Sequence, residues 1–109
     1  MRPTIGRIVH YKLCDGDIEM ILRRRTDGSA IRAGLEKGTW PRGAQAHIGN
    51  RATVGDVLPM MICRVWPNEF GTEHDGVNGQ VFLDGCDVLW VTSVGEGNNP
   101  GQWVWPPRV

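Results

Sequence analysis

The 109-residue chain contains no apolar run approaching the roughly 20 residues of a membrane-spanning helix. Its first residues, Met-Arg-Pro-Thr-Ile-Gly-Arg, lack the apolar core of a secretory signal, so an intracellular protein with no membrane partner is expected. The cysteines Cys14, Cys63 and Cys86 are odd in number, widely spaced and without a CxxC pair. That pattern fits neither a disulfide framework nor a zinc site, and reduced, mostly buried thiols are expected. Cys63 in particular should be buried in a strand and inert. Net charge is zero, 12 Lys/Arg against 12 Asp/Glu. A general DNA- or RNA-binding protein shows an unbalanced basic surface, so that class is not expected.

Chemistry-bearing motifs are also missing. Cysteine, histidine and acid are all present, but no nucleophile elbow or comparable motif links them, and the chain is not expected to be an enzyme. The segment 95–101 is Gly-rich, yet it lacks the Lys and Ser/Thr of a phosphate-binding loop and no helix follows it. His10, His47 and His74 are scattered. The only local cluster, Glu73-His74-Asp75, consists of adjacent residues, which rarely converge on one ion. No metal and no cofactor are expected. Internal repeats, low-complexity tracts and linkers are absent, so residues 1–109 read as one domain.

What is present is unevenly placed. Residues 1–54 hold ten Lys/Arg and five Asp/Glu, a balance of +5, and residues 55–109 hold two and seven, a balance of −5. Ten of the twelve basic residues are arginine, whose planar fork suits carboxylates and phosphates. The two halves are expected to complement each other, within the domain or between subunits.

Period-two alternation marks several strands. Ile5–Leu13 places Val9, Tyr11 and Leu13 on one face. Val57–Trp66 is apolar on both faces, which predicts a strand central in the sheet or at a subunit interface. Val77–Asp84 points Val77, Gly79, Val81 and Leu83 inward and Phe82 outward. An Asp-Gly turn leads to Val88–Val94, with Val88, Trp90, Thr92 and Val94 together, and Gln102–Trp105 closes the set. Ala44, Ala46 and Ile48 suggest a further, weak strand. Between the first two strong strands, residues 15–38 read as a helical insert. One helix runs over 15–26, with Arg23, Arg24 and Arg25 in its last turn and Asp27-Gly28 as its stop, and a second runs over 29–37 with Gly38 as terminator. The loop 67–76 is long for a hairpin and is a candidate functional or flexible loop. The predicted fold is mainly β: a small, antiparallel, partly open β-barrel of five to six strands with a helical insert after the first.

Gly6-Arg7-Ile8-Val9-His10-Tyr11, Ala44-Gln45-Ala46-His47-Ile48-Gly49-Asn50, Gly55-Asp56-Val57, Val77-Asn78-Gly79-Gln80-Val81, Leu89-Trp90-Val91-Thr92-Ser93 and Gly101-Gln102-Trp103-Val104-Trp105-Pro106 resemble a family of small phage and prophage proteins, most of unknown function. The likeness extends over most of the chain. Where that family ends in Trp-His-Trp-Pro, this chain has Trp-Val-Trp-Pro, so no role for that histidine carries over. The resemblance implies a viral context and supplies no catalytic residue.

The remaining constellation is aromatic plus arginine. Trp40, Trp66, Trp90, Trp103 and Trp105 are many for so small a domain, and rings left at a rim stack on planar groups such as nucleobases. The alternative is that they fill the core and seal a subunit interface. The expected ligand-binding set is Trp103 and Trp105 on one face, Trp90 on a neighbouring strand, and Arg7, Arg23, Arg24 and Arg25 as anion forks. The two-sided strand Val57–Trp66, outward Phe82 and the opposed half-charges point to a homo-oligomer. The functional expectation is a phage-encoded, non-enzymatic binding protein. It would sequester a nucleotide-type immune signal at oligomer interfaces in the host cytoplasm. The alternatives are a structural or accessory virion protein of capsid or tail, or a protein inhibitor of a host enzyme.

Overall fold

The computed structural model describes residues 2–38, 47–67 and 76–108. Within them the alternating segments form five strands: β1 (Ile8–Lys12), β2 (Val57–Trp66), β3 (Gly76–Phe82), β4 (Val88–Val94) and β5 (Trp103–Val104). One helix, α1 (Asp15–Glu36), separates β1 from β2. The strands make a single antiparallel sheet in the order β4-β3-β2-β1-β5. The two-sided strand β2 lies at its centre, as its apolar pattern predicts. The expected strand around Ala44–Ile48 falls mostly outside the described residues, as do most of the 67–76 loop, Trp40 and the Glu73-His74-Asp75 cluster. Ile48 itself is not in a strand.

The sheet is not closed into a barrel, because β4 and β5 are its two edges. It curls far enough for the chain just beyond β4 to meet β5. Trp103 N–H donates to Gly95 O at 3.1 Å, and Gly97 N–H donates to Trp103 O at 2.9 Å. The concave side of this curl is the core. Val9, Tyr11, Met60, Ile62, Val77, Val81, Leu89, Val91 and Trp103 line it, with Leu13 and Ile21 closing one end. Val9, Met60 and Val81 are register partners across β1, β2 and β3, so one row of side chains fills the middle of the core. Gly79 belongs to the same layer for a steric reason: a Cβ there would stand 2.6 Å from the Met60 side chain and 2.9 Å from the Met61 carbonyl oxygen.

The insert differs from its expected form. It is one continuous helix of 22 residues, about 33 Å long. A glycine inside a helix costs only about 1 kcal/mol, too little for Asp27-Gly28 to break it. Termination waits for Gly38, whose φ of 70° gives the left-handed end that residue favours. Arg23, Arg24 and Arg25 therefore lie in the helix interior, and the favourable dipole position expected for them does not exist. The start of the helix is tied to β1. Asp17 accepts hydrogen bonds on Oδ2 from Tyr11 Oη at 2.6 Å, from Cys14 N at 3.0 Å and from Cys14 Sγ at 3.2 Å. The contact to Cys14 N is the reach-back of a capping box. Burial first, and the Asp17 carboxylate second, push the Tyr11 phenol far above its ordinary range.

Candidate functional site

The convex side of the sheet is unusual in what it leaves to solvent. Ile8, Val57, Met61, Trp66, Phe82, Val88 and Trp90 are all exposed large apolar residues on strands. Ile8, Met61, Gln80 and Trp90 are register partners in one row across β1 to β4, and Phe82 faces Val88 two residues along. None of the five strands contains an Asp or Glu, while Lys12 and Arg64 supply their only full charges. Among the described residues, the acids of the C-terminal half, Asp56, Asp84, Asp87 and Glu96, lie outside the five strands. This face is therefore apolar, aromatic and weakly cationic.

Two β-bulges shape one corner of it. The β2–β3 register moves from Ile62↔Gly79 to Arg64↔Asn78, leaving Cys63 as an extra residue. The β3–β4 register moves from Val77↔Val94 to Gly79↔Val91, and Ser93 takes a φ of 52°. Both irregularities meet at Asn78. Its Oδ1 accepts the displaced Ser93 N–H at 2.8 Å and the Trp66 Nε1–H at 2.9 Å. The indole is thereby held by its edge. Arg64 covers one ring face, with Cζ 4.0 Å from the ring centroid. Trp66 remains 39% exposed, so part of a positioned aromatic ring is open to solvent beside a guanidinium.

The expected ligand-binding residues are not brought together. Trp103 is fully buried and forms an edge-to-face pair with the half-buried Trp105, at a centroid distance of 5.4 Å and an angle of 89°. These two rings are core, and their indole N–H groups find no acceptor among the described residues. Trp90 does stand free, 59% exposed, but on the convex face of β4, while Trp103 lies on the concave face of β5 at the opposite edge. Arg24 donates from Nη1 to Val88 O at 2.8 Å, and Arg25 pairs through Nη2 with Asp87 Oδ1 at 3.3 Å. Arg25 Nη1 also donates to Asn50 O. Both arginines thus clamp the helix to the hairpin. Arg23 is exposed on the helix, and Arg7 is exposed just before β1. Of the positioned Arg64–Trp66 pair, Trp66 is one of the five tryptophans of the sequence constellation. Its neighbourhood depends on two bulges that simple alternation does not register.

The thiols are not mostly buried, and Cys63 departs from its expected burial, whereas Cys86 is exposed as its place in the hairpin turn predicts. Cys63 and Cys86 are exposed and Cys14 is partly buried. Cys63 follows the strand's alternation onto the side of Met61, which is open to solvent, and the parity changes only from Arg64 onward. Among the described residues no three His, Cys, Asp or Glu side chains gather as a metal site, and no helix is long and apolar enough to cross a membrane. Clefts formed by the described residues border the sheet. One of about 220 Å³, lined by His10, Lys12, Val57 and Val104 among others, opens at the β1–β5 end of the convex face. One of about 170 Å³ lies between Arg25, Arg51, Asp56 and Asp84. Both fall below the roughly 300 Å³ at which pockets enclose a drug-sized molecule. Comparison with protein-family models, curated proteins and solved structures found no match.

Proposed function

We propose that this protein is a non-enzymatic binding protein that takes a planar, anionic ligand of nucleotide type at the Arg64–Trp66 corner. The observation that carries the reading is the Trp66 ring. It is fixed by Asn78, covered on one side by Arg64 and open to solvent on a face whose strands hold no carboxylate. A ring held in place loses little freedom when a base stacks on it, and such stacking contributes about 1–3 kcal/mol. Arg64 supplies a cation for a phosphate. A wall from a second copy would complete the site, since neither bordering cleft is lined by Arg64 or Trp66. In the viral setting that the motif resemblance implies, the role is to sequester a nucleotide-type immune signal in the host cytoplasm.

Isothermal titration with nucleoside monophosphates, cyclic di- and trinucleotides and cyclic ADP-ribose isomers tests this reading. Binding is expected for at least one class. Trp66→Ala is expected to weaken it about tenfold or more, the loss of one stacked base. No heat from any of these compounds contradicts the reading. A second reading, a structural or accessory virion protein, is favoured by the uncharged patch around Phe82, Val88 and Trp90. Mass spectrometry of purified particles tests it by presence or absence.

A further inference from the structure

The centre of the convex face, over β2 to β4, carries Met61, Phe82, Val88 and Trp90, exposed by 38%, 43%, 41% and 59%. They are same-face neighbours through the pairs Met61↔Gln80, Gln80↔Trp90 and Phe82↔Val88. Among the described strand residues no charged side chain lies between them. With side-chain areas of the usual size, of which an aromatic ring offers roughly 150–250 Å², these four leave on the order of 400 Å² of apolar surface in water. A patch of that size on a small chain commonly marks a contact surface.

We infer that a second copy of this chain covers the patch, convex face on convex face, in a two-fold symmetric dimer. The area is the first argument. Two copies would bury about 800 Å² of apolar surface, and homodimer interfaces are roughly 65% apolar, which corresponds to a total near 1,200 Å². That reaches the lower end of stable, specific interfaces. Charge is the second. A patch with no charge selects neither an acidic nor a basic partner, whereas an isologous contact requires only self-complementarity. Its Trp, Phe and Met are types enriched at interface centres. The third argument removes the other simple route to self-association, edge-to-edge pairing through β4. The bulge at Ser93, with its φ of 52°, distorts that edge, and Arg24 already occupies the Val88 carbonyl. The Arg64–Trp66 corner lies beside the patch and becomes its rim. The inference deepens the functional reading by supplying the second wall of that site.

The test is mass by size-exclusion chromatography with light scattering at micromolar concentration, with no nucleotide added, so that it succeeds or fails independently of ligand binding. The wild-type chain is expected at twice its 12.1 kDa mass. Phe82→Glu and Trp90→Glu are each expected to shift it to one chain mass with an unchanged far-ultraviolet circular dichroism spectrum. Val54→Glu, at an exposed apolar position outside the sheet, is expected to leave the dimer intact. A wild-type protein of one chain mass overturns the inference. So does a dimer that persists in both face variants, because its interface then lies elsewhere.

Discussion

Trp103 and Trp66 stand on opposite sides of one sheet and have opposite relations to water. Trp103 is fully buried on the concave side against Trp105, with its indole N–H unpaired among the described residues. Trp66 is exposed on the convex side, yet its N–H is paired to Asn78 and one ring face is covered by Arg64. The buried ring is placed by packing and the exposed one by specific polar contacts. Packing is sufficient to place a core residue. An exposed ring held by a hydrogen bond and a cation loses little freedom when a planar group stacks on it, which is what the proposed site relies on. The same contrast runs through the arginines. Arg25 is folded into the protein against Asp87, and Arg23 two positions earlier is not.

The largest expected effect separates the two faces directly. Trp103→Ala should lower stability by about 3–5 kcal/mol through loss of burial and the cavity left behind. That is a large part of the roughly 5–15 kcal/mol a domain of this size possesses. Trp66→Ala should cost only about 1 kcal/mol, the value of one exposed hydrogen bond and one exposed cation–π contact. Urea unfolding of both variants measures the difference, and equal costs would erase the distinction between the faces. Next in size is the arginine pair. Arg25→Met strands Asp87, whose side chain is 1% exposed, and should cost about 3 kcal/mol. Arg23→Ala should change stability by less than about 0.5 kcal/mol in the same assay.

The smallest effect concerns pH. The Tyr11 phenol is raised in the folded state, so the native protein keeps this proton where the unfolded chain releases it. Its contribution is complete below the unfolded value near pH 10 and declines as pH rises above it. Tyr11→Phe should therefore flatten the alkaline fall of the thermal midpoint between about pH 9 and 11 relative to wild type. An unchanged slope would show that Tyr11 is not linked to folding in this way.

Much of the sheet was legible in the alternation of side chains. Val57–Trp66 and Val88–Val94 are the strands the pattern marks, and the inward faces of β1 and β3 follow from the same period. Parity failed where an extra residue enters. After Cys63 and after Thr92 the faces exchange, which turns Val94 inward, away from the side shared by Trp90 and Thr92. A bulge here carries no signal in local composition, because Ser93 adopts its positive φ without being glycine. The single helix was missed because Gly28 and Ser29 look like a stop, although their helix penalties are small. The wrong grouping of Trp90 with Trp103 has a different cause. Strand order is long-range information, and Trp90 and Trp103 lie on opposite edges of the sheet. The Arg64–Trp66–Asn78 corner combines both difficulties, joining β2 to β3 across two bulges.

Native mass spectrometry of the purified protein with and without a nucleotide mixture reads subunit number and retained ligand together. It is the most direct test of the claim that the convex face is the working surface. The expected spectrum shows two chains at twice 12.1 kDa that gain a nucleotide mass, an adduct lost in Trp66→Ala while the dimer remains. A single chain that gains no mass from any nucleotide would contradict it.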